Sequence, residues 1–298
     1  MSLIDELQAA IENVAATAGP SVVGIGRHHR GSGVVVGDGR VLTNAHNIRG
    51  DEVTVTFADG RSVLGSLAGI DVDGDLAVVN VDTAGAGAPA WGAGDGLTVG
   101  QAVFGAAASP SGSIRVTFGT VSAVARAFRG PGGRRITGSV EHTAPLASGS
   151  SGGPLLDADG RFVGLNTNRL GEGFYLALPA DAALRERVDA LGRGESAQRP
   201  RLGVAVAPAH VARRLRLSVG LPERDGLLVR GVEDGSPAAR AGIAEGDLLV
   251  EVAGNAVTDA DQLVEAISKV TFPLEVKLLR GTEERTVTVG GADASGEA

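Results

Sequence analysis

The sequence predicts a mainly β chain of two domains, with a barrel or sandwich first and a smaller domain of mixed α and β structure after it. From residue 21 to about residue 179, short β-branched runs alternate with turn dipeptides such as Asp38-Gly39 and Asp59-Gly60, which is typical of barrels and sandwiches. The length of 298 residues corresponds to about two domains of ordinary size. A polar stretch containing Gly and Pro, residues 192–200, separates the two patterns and predicts a linker.

A helix is predicted before the first strand. Apolar residues recur there at helical spacing, at Leu3, Leu7, Ile11 and Val14. Ser2 and Asp5 form a capping-box pattern, and Gly19-Pro20 ends the run. The sequence therefore predicts an amphipathic helix with one face to bury.

Strands are predicted over seven short runs of the first domain. These are "SVVGIG", "GSGVVVGDGRVLTNA", "DEVTVTFADGRSV", "DLAVVNV", "VTFGTVSAV", "RFVGLNT" and "GFYLALP". A helical pattern, "PADAALRERVDALG", closes the domain. The core must be built from Val, Leu, Ile and Ala, because 43% of the residues are hydrophobic but only 3% are aromatic.

The second domain combines strands and helices. Strands are predicted at "RLGVAV", "GLLVRGV", "DLLVEVAG", "PLEVKLLR" and "ERTVTV". Ser236 is the predicted N-cap of a short helix, and a second helix runs from Thr258 or Asp259 to Lys269. The predicted divisions are a helix at 1–20, a first domain at 21–191, the linker at 192–200, a second domain at 201–290 and a disordered tail at 291–298.

The net charge of −8 argues against nucleic acid and anionic membrane as partners, since binding to phosphates depends mainly on Lys and Arg. Basic residues cluster at Arg126, Arg129, Arg134 and Arg135, and again from Arg193 to Arg216. Because acids, Gly and Pro interrupt both clusters, we expect them to lie in solvated loops.

The chain contains no cysteine, which excludes disulfides, thiol nucleophiles and Cys-ligated zinc, and we expect no metal and no cofactor. Acidic residues stand where a signal peptide would carry positive charge, and no apolar run reaches the length of a membrane span. The chain as given is expected to be cytoplasmic, or periplasmic or otherwise extracytoplasmic if a leader or anchor was removed.

The stretch "SGSSGGPLLDADG" places Ser150 and Ser151 among glycines, which describes either a flexible hairpin or the loop of a nucleophile. A serine hydroxyl becomes nucleophilic when an imidazole accepts its proton and a carboxylate orients that imidazole. His46 follows the strand "RVLTNA", and Asp75 precedes the apolar run "LAVVNV", although Asp71 and Asp73 stand in the same turn. The order His46, Asp75, Ser151 is that of the chymotrypsin fold.

These motifs resemble one protein family. "GSGVVVGDGRVLTNAH", "DGDLAVVNV", "GSSGGPLLDADGRFVGLNT" and "GFYLALP" are similar to the protease domain of the HtrA/Deg serine proteases. The segment beginning "RLGVAV" and continuing through "GLLVRGVEDGSPAARAGIAEGDLLVEVAGNAVTDADQLVEAI" resembles that family's PDZ domain. The resemblance runs from about Val22 to Val289 and implies a two-barrel, chymotrypsin-like protease domain followed by a small α+β PDZ domain.

The resemblance also implies roles for individual residues. It makes Ser151 the nucleophile, His46 the general base and Asp75 the group that orients it. The candidate oxyanion hole comprises Gly149, Ser150 and Ser151, with Ser150 supplying backbone only. The candidate specificity pocket comprises Leu146, Asn168 and Arg169. The family usually prefers small aliphatic residues there, whereas Arg169 would narrow the pocket or favour a polar side chain.

The chain departs from the family pattern beside the nucleophile. Ser150 stands where the family often has Asn, and Ser148 stands where it often has Pro. Thr143 replaces a frequent Asp. These departures concern the shape of the oxyanion loop and leave the three catalytic candidates unchanged.

In the second domain the resemblance implies a site for chain termini. Arg201, Leu202, Gly203 and Val204 match the loop that holds a terminal carboxylate. Leu263 and Ile267, one helical turn apart, would form an apolar wall, although they could equally be core residues. An apolar C-terminal peptide is the expected partner.

The function implied is ATP-independent endoproteolysis of unfolded or damaged proteins, as part of protein quality control and the stress response, with the PDZ domain delivering substrate or regulating the catalytic loops. The alternative is a peptide-binding holdase chaperone whose protease barrel is inactive or rarely active. Family members commonly assemble as trimers, which suggests a homo-oligomer.

Overall fold

A computed structural model describes residues 2–27, 29–109, 113–130, 135–171, 173–195, 201–268, 270 and 272–290. The chain divides into two compact units, Met1–Ala197 and Gln198–Ala298. The division falls within the predicted linker, and the exact domain boundaries stay a prediction. The end of that linker, 196–200, and the predicted tail, 291–298, lie outside the described residues.

The first six strands close into a barrel. They are β1 (Val22–Ile25), β2 (Gly31–Gly37), β3 (Arg40–Thr43), β4 (Glu52–Thr56), β5 (Ser62–Asp71) and β6 (Leu76–Asn80). Their order around the barrel is β1-β2-β3-β6-β5-β4, and every pairing is antiparallel. The turns at Gly39 and Gly60 have positive φ, as the Asp-Gly dipeptides predicted.

The next six strands close into a second barrel. They are β7 (Ala102–Ala108), β8 (Ile114–Arg129), β9 (Arg135–His142), β10 (Pro154–Leu156), β11 (Phe162–Gly171) and β12 (Phe174–Pro179). Their order is β10-β11-β12-β9-β8-β7. The mainly β, two-barrel expectation is therefore confirmed. The predicted runs omitted β7, β9 and the three-residue β10, and they reached only the first two residues of β5. Ala-rich and charge-interrupted segments such as β7 and β9 carry little β-branched signal.

The apolar runs are continuous because the strands are covered on both faces. Successive residues of a strand point to opposite sides, and here both sides are buried. Val22 and Val34 belong to a large cluster that also includes Phe104 and Leu165 of the second barrel. Val23, Val35, Val41 and Val79 fill a separate cluster with other residues of the first barrel. The catalytic candidates therefore lie on a rigid two-barrel base.

Two α-helices complete the described residues of the first unit, α1 (Leu3–Ala18) and α2 (Ala182–Gly192). Helix α1 begins with the predicted capping box between Ser2 and Asp5, and it buries Val14 in the cluster shared by the barrels. The predicted apolar face is wrong at its start, because Leu3 is 78% exposed. Arg187 on α2 forms an ion pair with buried Asp71 of β5.

The part of the second unit that the structure describes contains one six-stranded sheet and three α-helices. The strands are β13 (Val204–Ala207), β14 (Leu227–Val232), β15 (Leu248–Val252), β16 (Asn255–Ala256), β17 (Leu274–Arg280) and β18 (Glu283–Val289). The helices are α3 (Ala209–Ser218), α4 (Pro237–Arg240) and α5 (Ala260–Ser268). The sheet order is β13-β14-β15-β17-β18, with β16 paired to β15, so β13 is an end strand.

The solvated-loop expectation for the basic clusters holds for Arg193 and Arg201, which are exposed and lie outside the helices and strands, but it is wrong for the other arginines of the clusters that the structure describes. Arg126 and Arg129 lie on β8 and Arg135 on β9, while Arg134 lies outside the described residues. The second cluster includes helix α3, whose inward residues are small alanines that the arginines obscure in the sequence. Arg216 of α3 is only 3% exposed and donates to the carbonyl oxygens of Pro222 and Gly281. None of the helices in the described part of the chain is long and apolar enough to span a membrane.

Candidate active site

His46 and Asp75 form a directly hydrogen-bonded pair. The ring nitrogen Nδ1 of His46 lies 2.9 Å from Oδ1 and 3.0 Å from Oδ2 of Asp75. Because an ionised carboxylate only accepts hydrogen bonds, Nδ1 carries the hydrogen and Nε2 keeps its lone pair. The arrangement leaves Nε2 as the basic atom of the imidazole.

Strand pairing brings this pair together. His46 follows β3 on a short 3-10 helix, Asp75 precedes β6, and β3 pairs with β6 at Thr43 and Ala77. Asp75 has a φ of 55°, a left-handed conformation that Asp tolerates better than most residues. The side chain of Asn44 donates to the Asp75 carbonyl oxygen at 2.9 Å, which holds that conformation.

The Asp75 carboxylate is fully buried and accepts three kinds of donor. Besides the His46 ring, it accepts from the His46 backbone amide at 3.2 Å and from the Thr167 hydroxyl at 2.7 Å. A buried carboxylate needs such donors to remain ionised without a large cost. Asp71, the alternative acid of the same turn, is paired with Arg187 instead.

Ser151 lies in a pair of consecutive turns that precede β10. The first turn closes with the Ser150 amide donating to the Ala147 carbonyl at 3.2 Å, and the second with Gly153 donating to Ser150 at 3.0 Å. Gly149 and Gly152 occupy the third positions with φ of 84° and 86°, the pattern of type II turns. The stretch is therefore an ordered turn pair, and the flexible-hairpin alternative does not describe it.

The glycines after Ser151 are required by close approach of the backbone. A Cβ on Gly152 would lie 2.2 Å from the Ser32 carbonyl oxygen, and one on Gly153 would lie 2.2 Å from that of Ala106. The Ser32 amide donates to the Ser151 carbonyl at 2.8 Å, and the Ser32 hydroxyl donates to the Gly149 carbonyl at 2.8 Å. Ser32, which lies on β2, thus ties the turn pair of one barrel to the other barrel.

Two backbone amides of the turn pair remain available. Among the described residues neither the Gly149 amide nor the Ser151 amide donates a hydrogen bond. Buried or half-buried amides normally have partners, so two free amides beside a candidate nucleophile are suited to binding an anion. Ser150, by contrast, is 5% exposed and uses its backbone amide and carbonyl within the turns.

The Ser151 hydroxyl donates to the Thr167 carbonyl oxygen at 2.9 Å. A hydroxyl has one hydrogen to donate, so in this arrangement the hydrogen is not directed at His46. Rotation about the Cα–Cβ bond of Ser151 would redirect it. The structure thus holds the serine in a resting orientation inside the same cleft as His46.

That cleft, of about 540 Å³, brings together all the predicted residues of the protease site. The candidate catalytic, oxyanion and pocket residues all line it. Ser148, which departs from the family pattern, lines it as well. Seven further lining residues were not predicted: Arg49, Arg129, Gly130, Ala147, Asn166, Thr167 and Tyr175. Its size is within the range of ligand clefts in proteins.

Several functional candidates were missed by the sequence reasoning. Thr167 and Ser32 carry no local signal, because their roles depend on partners far away in the chain. Arg49 could have been noticed from its position three residues after His46. His29 was interpreted as a surface residue. Its backbone carbonyl oxygen nevertheless lies close to the turn pair, since a Cβ on Gly149 would lie 3.0 Å from it.

His142 is a buried histidine beside the turn pair. Its Nε2 donates to the Asn166 side-chain oxygen at 3.0 Å, and its ring stacks on Tyr175 with centroids 5.8 Å apart. The Asn166 backbone in turn accepts from Gly152 and donates to the carbonyl oxygen of Gly153. Burial lowers the pKa of His142 to about 4, while the hydrogen bond to Asn166 opposes that change.

In the second unit the predicted carboxylate loop precedes the end strand β13. Gly203 has a φ of 77°, and a Cβ there would lie 2.3 Å from Cβ of Ser236. The Leu202 carbonyl accepts from Ala238 at 2.9 Å, and Leu202 is buried in the core of the unit, whereas Arg201 is exposed. Leu263 and Ile267 are each 6% exposed and belong to the same core, against which Val204 also packs.

Comparison with known families finds two matches. Residues 31–165 match the trypsin-like peptidase domain, and residues 228–280 match the PDZ domain. The first range includes His46, Asp75 and Ser151, and the second includes all of strand β14 except its first residue, strand β15 and helix α5.

Named relatives agree with these matches. A protein of Halomonas elongata named as a probable periplasmic serine endoprotease, DegP-like, is 35% identical over 277 residues, which is 90% of this chain and 57% of that protein. HhoA of Synechocystis, named as a candidate serine protease, is 34% identical over 279 residues, and the matched region is 87% of this chain and 70% of HhoA. The chain spans a little over half the length of the Halomonas relative.

A solved structure also resembles the chain over most of its length. It is the HtrA-type protease AlgW with a decapeptide, which has a TM-score of 0.70 and 25% identity and covers 94% of this chain and 97% of its own. A structure of AlgW with a tripeptide has a TM-score of 0.63 and 28% identity.

Proposed function

The chain belongs to the HtrA/Deg family of trypsin-like serine proteases, and from this premise we propose that it is a serine endopeptidase. Its proposed substrates are unfolded or damaged proteins, cleaved without ATP. The observation that carries the proposal is the hydrogen-bonded His46–Asp75 pair in the same cleft as Ser151.

In the proposed reaction the Ser151 oxygen attacks the scissile carbonyl carbon and its hydrogen passes to Nε2 of His46. The imidazolium that forms is stabilised by the buried Asp75 carboxylate. The negative charge that develops on the carbonyl oxygen would be stabilised by the amides of Gly149 and Ser151. His46 then protonates the leaving amine, and an acyl ester remains on Ser151 until water, deprotonated by His46, hydrolyses it.

The resting orientation of Ser151 adds a step before attack. The hydroxyl must leave the Thr167 carbonyl and turn toward His46, a change of one side-chain torsion. The holdase alternative draws support from this same hydrogen bond, since a protein held permanently in that orientation would bind peptides without cleaving them. Relatives named as proteases favour the enzyme.

Labelling with a fluorophosphonate separates the two functions. We expect the probe to label the wild-type chain at one site and the Ser151→Ala variant not at all. Ser66→Ala, a change at an exposed serine on β5, should be labelled like the wild type. A wild-type chain that stays unlabelled with or without peptides, yet suppresses aggregation of an unfolded protein, would favour the holdase.

We propose that the second unit binds C-terminal peptides along the free edge of β13. Arg201, Leu202, Gly203 and Val204 would provide the loop for the carboxylate. Because Leu263 and Ile267 are each only 6% exposed, they would contact a bound peptide only at the edge of such a groove. A fluorescent peptide with an apolar C-terminus should bind, and the same peptide amidated at its C-terminus should bind at least tenfold more weakly; equal affinity would contradict the proposal.

The names of the relatives support a proposal about the compartment, and the family resemblance supports one about assembly. The expectation of a cytoplasmic chain has no support in relatives that are named periplasmic, and we propose a periplasmic location, which cell fractionation tests. We also propose the trimer that the family resemblance implies. Light scattering should then give three times the mass of 29.9 kDa.

A further inference from the structure

Arg49 and Arg169 line the catalytic cleft, one from each barrel. Arg49 follows the short helix that carries His46, and Arg169 lies on β11 two residues after Thr167. Both side chains are exposed, and neither has a carboxylate within ion-pair distance among the described residues. The cleft therefore presents two guanidinium groups to whatever occupies it.

The cleft offers no acid to balance them. Asp75 is the one carboxylate among the lining residues that the structure describes, and it is fully buried and committed to His46 and Thr167. This local positive charge contrasts with the net charge of −8 for the whole chain. A cleft lined by one sign of charge concentrates ligands of the opposite sign.

Arg169 is held in place from one side. Its Nε donates to the Gly171 carbonyl at 3.0 Å, and its guanidinium carbon lies 5.8 Å from the centroid of the Tyr175 ring. These contacts leave the hydrogens of both Nη atoms for a ligand, and a guanidinium pairs with a carboxylate through two parallel hydrogen bonds. The group is partly preorganised for an acidic side chain.

The chemistry of the reaction assigns the two arginines to different sides of the scissile bond. His46 protonates the leaving amine in the proposed reaction, and because Arg49 follows His46 by three residues, we assign Arg49 to the leaving-group side. Arg169 lines the cleft together with Leu146 and Asn168, the other two members of the candidate pocket for the residue before the bond. We propose that the cleft selects substrates with Asp or Glu flanking the scissile bond, read by Arg169 on the acyl side and by Arg49 on the other. This specificity rests on the proposed protease function.

The test compares matched peptides. Cleavage sites in denatured casein are first mapped by mass spectrometry, and amidated, internally quenched decapeptides are then made with Glu, Gln or Val before the scissile bond. We expect kcat/KM for the Glu peptide to exceed that for the Gln peptide about fivefold, the upper range of a solvated ion pair. High salt should reduce the ratio.

Variants assign the effect to its residue. Arg169→Gln should bring the ratio of Glu to Gln peptides close to one, and Arg49→Gln should do so for peptides varied after the scissile bond. Arg115→Gln, at an exposed arginine on β8 that does not line the cleft, should leave both ratios unchanged. Equal rates for Glu and Gln peptides in the wild type, or a ratio that Arg169→Gln does not alter, would overturn the proposal.

A binding measurement separates this proposal from the protease proposal. The same amidated peptides, labelled with fluorescein, are titrated into Ser151→Ala and followed by anisotropy. Tighter binding of the Glu peptide than of the Gln peptide to Ser151→Ala supports the proposal if the difference disappears in the double variant that also carries Arg169→Gln. This holds even if no cleavage is detected. Efficient labelling of Ser151 combined with indifference to Glu would refute the specificity while leaving the protease intact.

Discussion

At Thr167 a single residue contacts two of the three catalytic candidates. Its hydroxyl donates to Asp75 at 2.7 Å, and its carbonyl oxygen accepts from Ser151 at 2.9 Å. The first contact orients the carboxylate that orients His46. The second contact holds the hydroxyl of the candidate nucleophile Ser151. One residue thus contacts both the carboxylate that orients His46 and the candidate serine.

Removing the Thr167 hydroxyl tests the first of these contacts. Thr167→Val should lower kcat/KM on a peptide substrate about tenfold, because a hydrogen bond to a buried charge is lost while the backbone carbonyl remains. Thr167→Ser, which keeps the hydroxyl, should stay within about twofold of the wild type. A valine variant as active as the serine variant would show that the Asp75 contact is not needed.

At the scale of elements, the turn pair around Ser151 depends on the opposite barrel. Ser32 on β2 makes backbone and side-chain hydrogen bonds to it, and the side chain of Asn47 donates to the Ser151 carbonyl at 2.9 Å. The turns therefore have their shape only when both barrels are packed together. The glycines leave room for that contact.

A pair of alanine substitutions isolates the packing contribution. Gly152 and Gly60 have nearly the same φ, 86° and 85°, but a Cβ meets Ser32 at position 152 and open space at position 60. Gly60→Ala should lower the free energy of unfolding by about 1 kcal/mol through backbone strain alone.

Gly152→Ala should lower the free energy of unfolding by roughly 3 kcal/mol, because overpacking against Ser32 adds to the backbone strain. It should also slow fluorophosphonate labelling at least tenfold. Urea unfolding followed by the fluorescence of Trp91, the one tryptophan of the chain, measures the first unit. Equal losses in the two variants would mean that the contact with Ser32 relaxes freely.

At the scale of the whole first unit, a buried neutral histidine couples stability to pH. The pKa of His142 is about 4 in the folded chain, against 6.5 for an unperturbed histidine, because burial disfavours its charged form. The unfolded chain therefore binds a proton at His142 more readily than the folded chain. The resulting stabilisation is complete above the unfolded pKa and is lost as the pH falls from about 6.5 to about 4.

We expect this histidine to remove roughly 3 kcal/mol from the free energy of unfolding by about pH 4. The variant His142→Gln keeps a donor for Asn166 but does not titrate in this range. Between pH 7 and pH 4 its free energy of unfolding should fall by roughly 3 kcal/mol less than that of the wild type. Urea unfolding at several pH values, again followed by Trp91, provides the comparison. Parallel pH profiles for wild type and variant would contradict the assignment.

Features with local sequence signals were predictable. The capping box at Ser2, the Asp-Gly turns and the continuous apolar runs of the barrels depend on neighbours along the chain, and the structure confirms them. Helix α3 was missed because its inward residues are alanines among arginines. The candidate trio could be proposed because each member stands beside a strand end or a glycine turn.

The sequence by itself determined the two-domain order, the β character of the first domain and the choice of His46, Asp75 and Ser151 as candidates. The tertiary structure alone decided that Thr167 joins Asp75 to Ser151, that Ser32 supports the turn pair, and that Arg49 and Arg169 share a cleft. The physical reason is chain separation: Thr167 and Asp75 are 92 residues apart, and Ser32 and Gly149 are 117 apart. Contacts over such distances arise from packing of the two barrels, which no local pattern encodes.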